Sequence, residues 1–261
     1  YVILAALVSG LPCASAWGQQ YPTKPIRMIV GFPPGGSNDI VARNLAPKLG
    51  ELLGVQVIVE NRAGANATIA ADLTAKSAPA GYTVMLGSTS SLVISPHTYS
   101  KLSYDTLRDF APVTTVAMTP EAVAVHPALP VKSVKELIAL ARAKPGTLAH
   151  GSSGVGGAGH LAGALFQSMT QTKMLHVPYK GGAPAMVDII AGQVQFSFAS
   201  TPTAIPNITS GRIRALAVTL AQRTRLLPQT PTRAEAGVSG YKSSSWYGVV
   251  APARTPQTII T

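Results

Sequence analysis

From Pro22 onward, short runs of valine, isoleucine and leucine alternate with longer segments whose apolar residues recur every three or four positions. Short apolar runs fit strands buried on both faces, and the 3.6-residue period fits amphipathic helices. The alternation therefore predicts an α/β fold with mainly parallel strands. The runs place strands at Ile26–Gly31, Val55–Glu60, Thr83–Gly87, Thr147–His150, Met174–Val177, Val194–Phe198 and Ile213–Thr219.

Four stripes mark helices. Ile40, Val41, Leu45, Leu49, Leu52 and Leu53 form one apolar face, closed by Gly54. Ser133-Val-Lys-Glu136 has the form of a capping box, in which a serine oxygen and a glutamate carboxylate satisfy free N–H groups, and Leu137, Leu140 and Ala141 follow it. Leu161, Leu165 and Met169 make a third stripe, and Met186, Ile189 and Ile190 a fourth, ended by Gly192. All four are read as core faces.

The pattern changes twice. Between Ala111 and Val125 two apolar runs meet at Thr119-Pro120, and after Thr219 the chain turns polar and basic. If both are crossings between lobes, residues 21–118 start lobe one, 119–218 build lobe two and 219–261 return to lobe one, leaving a cleft between them. Residues 1–20 read as part of a secretory signal peptide: a short apolar stretch followed by Ala14-Ser15-Ala16, a small-x-small cleavage pattern. A buried N-terminal helix is the plain alternative. With no initiator Met or basic n-region, the sequence is expected to begin inside its reading frame. Cys13, the single cysteine, falls in this leader, so the mature protein is expected to be free of cysteine, exported and soluble. Lipidation at Cys13 is disfavoured by Pro12.

The formal charge of +11 raises nucleic acid as a partner. Its distribution argues against it, because pairs such as Arg212/Arg214 and Arg223/Arg225 are scattered and aromatic residues make up only 6% of the chain, leaving few stacking platforms.

Two glycine-rich turns carry the candidate chemistry. Gly31-Phe-Pro-Pro-Gly-Gly-Ser-Asn-Asp39 and Gly151-Ser-Ser-Gly-Val-Gly-Gly-Ala-Gly-His160 each follow a predicted strand and precede a helix. In an open parallel sheet, ligands bind beyond the carboxyl ends of the strands. A helix start there offers unpaired N–H donors and partial positive charge, and glycine lets an anion approach the backbone. The first turn contributes Phe32, Pro33, Gly35, Gly36, Ser37, Asn38 and Asp39 as candidate ligand contacts; the second contributes Ser152, Ser153, Gly154, Gly156 and Gly157. Each glycine could equally be only a tight turn and each serine only a helix cap. Asp39 would repel an anion and is spaced to pair with Arg43. Further candidates at strand ends are Ser88, Thr89 and Ser90, Tyr179 and Gly181, and Ser200 and Thr201. Trp246 and Tyr247 suit a cleft wall or the core.

Enzyme signatures are weak. Gly154-x-Gly156-x-x-Gly159 matches a dinucleotide fingerprint, but His176-Val-Pro-Tyr-Lys-Gly-Gly182 lacks the acid a ribose requires. Gly151-Ser-Ser-Gly-Val155 misses the last glycine of a nucleophile elbow, and the histidines lie far apart in sequence. Binding is expected rather than catalysis, with no cofactor and no metal. An exported nucleotide-dependent oxidoreductase is the alternative class.

Tyr21-Pro-Thr-Lys-Pro-Ile-Arg-Met-Ile-Val-Gly-Phe-Pro-Pro-Gly-Gly36, Val59-Glu-Asn-Arg62, Gly81-Tyr-Thr83, Tyr179-Lys-Gly-Gly182 and Pro231-Thr-Arg-Ala-Glu-Ala-Gly237 together resemble the Bug-type extracytoplasmic solute receptors of the tripartite tricarboxylate transporter class. The resemblance implies a two-lobed periplasmic binding protein of the type II class, each lobe a mainly parallel sheet flanked by helices. It further implies a small carboxylate ligand (a di- or tricarboxylate, acidic amino acid or aromatic acid) held between the lobes by Phe32–Asp39 and Ser152–Gly157. Delivery to membrane permease subunits, a periplasmic location and a monomer follow as expectations. Such receptors usually continue past the position of Thr261, so truncation at both ends is expected. Where they often carry aspartates in the Val194 strand, this chain has Gln195 and Ala199, which weakens the case for a ligand ammonium; Asn66 and Ala70 stand at positions that are often glycine.

Overall fold

The computed structural model describes residues 21–261, so the predicted leader lies outside the described residues. The elements run β1 (Ile26–Val30), α1 (Ser37–Leu53), β2 (Val57–Asn61), α2 (Thr68–Ala75), β3 (Thr83–Ser88), α3 (Ser95–Thr98), β4 (Phe110–Val125), α4 (Val134–Ala143), β5 (Ala149–Ser152), α5 (Ala158–Thr170), β6 (Leu175–Pro178), α6 (Gly182–Ile190), β7 (Phe196–Ser200), α7 (Thr201–Thr209), β8 (Arg214–Val218), β9 (Ser244–Pro252) and α8 (Gln257–Ile260).

The molecule has two lobes threaded by one sheet of order β2-β1-β3-β9-β4-β7-β5-β6, with β8 pairing on β4. The outer pairs β1–β2, β1–β3, β5–β6 and β5–β7 are parallel, whereas every pair made by β4 or β9 is antiparallel. The expected mainly parallel sheets are thus mixed, because the two strands that run between the lobes travel against their neighbours. β4 pairs with β9 from Phe110 to Pro120 and with β7 from Glu121 onward. The predicted break at Thr119-Pro120 is therefore a change of partner within one continuous strand.

Both sheet faces are covered, which explains the unbroken apolar runs. In lobe one Ile29 and Met85 point into one cluster, while Met28, Val30 and Leu86 point into another with Ala42 and Ala46 of α1. In lobe two Val123, Val125, Phe196 and Phe198 meet Phe166 of α5 on one face, and Ala122, Ala124 and Ala199 meet Met186 and Ile189 of α6 on the other. Each such large side chain contributes roughly 2–3 kcal/mol on full burial. At α4, Ser133 Oγ accepts from the Glu136 N–H at 3.1 Å, and the Glu136 carboxylate accepts from the N–H of Lys132 at 2.7 Å, one residue outside the predicted box.

One predicted core stripe is wrong. Leu161, Leu165 and Met169 are 41%, 40% and 42% exposed; α5 turns Gly159, Ala162, Gly163 and Phe166 inward instead. A Cβ on Gly163 would lie 2.4 Å from Cε1 of buried His150, so the absence of any side chain there lets the helix sit this close to β5. Leu52, placed in the first stripe, is also exposed.

Candidate functional site

Four helices begin at one place. α1 is preceded by N-cap Gly36 at φ −79° and ψ 165°, and α5 by N-cap Gly157 at φ −79° and ψ 167°, so the two glycine turns end in the same backbone geometry. α6 starts after Gly181 and α7 after Ser200. Gly36, Ser37 and Asn38 of the first start, Ala158 and Gly159 of the second, Gly182 and Ala185 of the third, and Ser200 and Thr203 of the fourth all border a cavity of about 70 Å³ between the lobes. Within the described residues, the amides of Ser37, Asn38, Gly159 and Gly182 have no acceptor. These are the donors that any helix leaves open at its start. Two side-chain donors in the wall are also buried and unpartnered, Asn38 Nδ2 and Ser88 Oγ. No Lys or Arg borders the cavity, and its single acid is Glu121.

The lobes touch across the cavity. Ser37 Oγ and Thr203 Oγ1 are 2.6 Å apart, and the Ala158 N–H donates to Ser90 Oγ at 3.2 Å. Asn66 Nδ2 donates to the Val155 carbonyl. Asn66 sits between Ala65 and Ala67 in a left-handed turn, with φ of 46°, 53° and 70° in succession. Such conformations cost about 1–3 kcal/mol each away from glycine, least for asparagine, so this turn is held by its surroundings.

Of the residues singled out by sequence, Phe32, Gly36, Ser37, Asn38, Ser88, Ser90, Ser153 and Ser200 border the cavity. The others lie nearby with different partners. Pro33 accepts the Gly36 N–H at 3.4 Å, and Gly35 donates to Asp39 Oδ2 at 2.9 Å. Asp39 is paired with Arg43 at 3.0 Å. Burial alone would raise its carboxyl, but Arg43, the Gly35 amide and Asn61 outweigh it and hold the group below its ordinary value. Thr89 Oγ1 accepts from the Trp246 N–H, and Gly181 packs against the Pro33 ring. Gly154 and Gly156 take positive φ, and Gly157 donates to the Gly154 carbonyl. Tyr179 donates to Asp188 Oδ2 at 2.6 Å and borders a second cavity of about 240 Å³ together with Ser153, Gly154 and Asn66. Thr201 is buried at the first position of α7, outside the cavity lining.

Sequence reasoning missed several wall residues: Met186 and Ile189, read as core, and Glu121, Thr203 and Ser245. An apolar cavity wall and a packed core have the same helical period, so the first two carried no separate signal. Tyr247, offered as a cleft wall, is in the lining, and its Oη lies 3.1 Å from Ser200 Oγ.

The second turn rests on three histidines distant in sequence. The rings of His160 and His176 stack at 4.1 Å, and those of His150 and His176 at 4.9 Å. His176 Nε2 lies 2.6 Å from Ser152 Oγ, and the Gly156 N–H donates to His160 Nδ1 at 3.0 Å. Stacked rings do not point their nitrogens at one spot, and no cluster suited to a metal occurs among the described residues. Burial, then the neighbouring His176 and His160, pushes His150 down to about 4; burial, then His160, does the same to His176. The unfolded chain protonates such groups near 6.5, so their stabilisation is complete above that value and disappears as pH falls through about 4. Glu121 works in the opposite sense: burial, only partly offset by Ser243, lifts it to about 7, and its stabilisation is lost as pH rises from 4.5 through that value. Two histidines outweigh one carboxyl where the windows overlap. The melting temperature is therefore expected to fall as pH drops from about 6.5 to about 4.5, and His176→Gln to flatten that slope. Calorimetric scans at stepped pH check this, and an already flat wild-type profile would remove the histidines from the account.

Residues 41–261 match the family described as the tripartite tricarboxylate transporter family receptor. The chain belongs to that family. It is 41% identical over 241 residues to the protein BugT of Bordetella pertussis, covering 92% of this chain and 74% of BugT. Among solved structures, R. palustris Rpa4515 with adipate is 40% identical, with a TM-score of 0.90 over 92% of this chain and 80% of that one. MatC from Rhodopseudomonas palustris with bound malate is 28% identical, with a TM-score of 0.87 over 92% of this chain and 82% of that one. The receptor is thus a solute-binding protein and not an enzyme, and its fold is that of the periplasmic binding proteins. Among the described residues, no helix is long and apolar enough to cross a membrane.

Proposed function

We propose that the receptor captures a small aliphatic dicarboxylate between its lobes in the periplasm and, as a monomer, delivers it to a membrane permease. The observation that carries this reading is the convergence of four helix starts, with the unpartnered Asn38 Nδ2 and Ser88 Oγ, on one cavity that contains no cationic side chain. Open amides and helix dipoles satisfy a carboxylate without a lysine or arginine. The lobes form the site by closing, with the hinge placed where the chain crosses near residues 119 and 219. Exclusion of water then strengthens each N–H contact. The adipate- and malate-bound neighbours support the ligand class, and a cavity of about 70 Å³ favours a compact aliphatic acid over an aromatic one.

Titration calorimetry against mono-, di- and tricarboxylates, with nicotinamide dinucleotides alongside, tests the reading. A dicarboxylate is expected to bind with a sub-millimolar Kd and be recovered unchanged. Asn38→Ala and Ser88→Ala are each expected to weaken it about tenfold, the value of one buried hydrogen bond to a charged group. Failure of every acid to bind, or turnover of any compound in the panel, would overturn the proposal.

A further inference from the structure

Glu121 is out of character with the rest of the cavity. It is 2% exposed and borders a space otherwise lined by open N–H groups, hydroxyls and apolar side chains. Ser243 Oγ donates to its Oε2 at 2.5 Å, and the Glu121 N–H donates to Thr219 Oγ1 at 2.9 Å. No cation among the described residues faces it. Across the sheet, β7 opposes it with Ser200, and Thr219 follows β8. The titratable groups turned towards it are the phenols of Tyr241 and Tyr247, the latter on β9, both raised by burial and so neutral. Arg233 turns its guanidinium to the Thr219 carbonyl at 3.2 Å and not to the carboxylate. Burial holds the Glu121 carboxyl at about 7, so near neutral pH a small change in surroundings decides its charge.

A carboxylate entering this cavity is such a change. Two like charges sharing a dry space raise the proton affinity of one of them. We propose that Glu121 takes up a proton when the lobes close on a dicarboxylate, and so serves as a selectivity residue that admits plain diacids in its neutral form. The inference rests on the carboxylate reading above and adds to it a proton count. It also makes a distinction between ligands: an amino acid would bring an ammonium that favours ionised Glu121, so its capture would take up no proton.

The test is calorimetry of the full chain with adipate, malate and aspartate between pH 6 and 9, in buffers of different ionisation enthalpy. In this range aliphatic carboxylic acids are themselves ionised. For adipate or malate, uptake approaching about one proton per ligand is expected at pH 8, with affinity falling up to about tenfold per pH unit above that. Glu121→Gln is expected to bind the same diacid with no proton uptake and with affinity independent of pH. A wild-type protein that binds the diacid with no buffer-dependent heat and a flat pH profile overturns the inference while leaving the carboxylate reading intact. Tight aspartate binding that Glu121→Gln abolishes overturns it as well. If no acid binds at any pH, both readings fall together. The wild-type proton count decides the matter even if the variant does not fold.

Discussion

Gly36→Val is expected to lower dicarboxylate affinity by about a hundredfold, roughly 2.7 kcal/mol, while leaving most of the stability in place. Gly36 has an ordinary extended φ of −79°, so a side chain is not barred by the backbone. A Cβ there would sit 3.4 Å from the Pro33 carbonyl and 4.0 Å from the amide nitrogen of Ala183. The γ-methyls of valine would then fill the gap between the starts of α1 and α6. Those methyls occupy the position proposed for the carboxylate and also wedge the lobes apart. The folding cost is limited to a poorer N-cap, about 1 kcal/mol. Gly36→Ala separates the two effects, because a lone Cβ fits and the loss is expected to stay under about tenfold. Gly156→Val is a poorer probe: Gly156 has φ +74° and a Cβ there would lie 3.1 Å from Thr98 Oγ1, so that variant loses stability as well. Calorimetry with adipate together with thermal melts checks the set. Unchanged affinity in Gly36→Val would remove the first turn from the site.

Gly31→Val is expected to destabilise the fold by about 3 kcal/mol or more, the upper range for overpacking. An added Cβ would stand 2.0 Å from Ala67 Cβ and 2.7 Å from Ala67 Cα, both rigid backbone-linked atoms. Ala67 is 1% exposed, and fully buried Ala70 crowds the same spot, its Cβ 3.1 Å from the added atom. For a chain of this length the melting temperature is expected to drop by roughly 6–12 °C. The same clash pushes on the left-handed turn that presents Asn66 to Val155, so affinity is expected to fall with stability. A melting temperature within about 2 °C of wild type would show that the helix α2 region shifts freely and that the turn is not fixed from beneath.

Much of the framework was legible because local chemistry and tertiary role agreed. Val- and Ile-rich runs gave β1, β2, β3 and β5 to β8 to within a residue or two, and Gly54 closes α1 at φ +68° as its position predicted. The signal failed where the environment changes along an element. β4 passes from one lobe to the other, with Val113 exposed and Val123 buried, so its pattern read as two pieces. β9 was overlooked for the same reason: it runs from exposed Ser244 into a fully buried stretch. α7 carries none of the four apolar stripes and contains Pro202 and Pro206, yet Pro202 falls in its first turn where no N–H is missed. On α5 the leucine and methionine stripe points outward, because close packing on β5 places Gly159, Ala162 and Gly163 inward and fills the remaining core space with Phe166 alone among the large side chains. Within the site, the glycine turns announced themselves, but Glu121 did not, since a lone acid in a strand looks like any solvated charge until its burial is known.

The placement of β9 governs how the polypeptide can be divided. It lies between β3 and β4, so the last strand among the described residues fills the middle of a layer begun more than a hundred and fifty residues earlier. A nascent chain emerging up to Ser243 would leave β3 and the first half of β4 as two bare edges, each able to recruit a strand from another molecule. Any split-protein reporter built on this scaffold must therefore keep residues 244–252 with the first fragment.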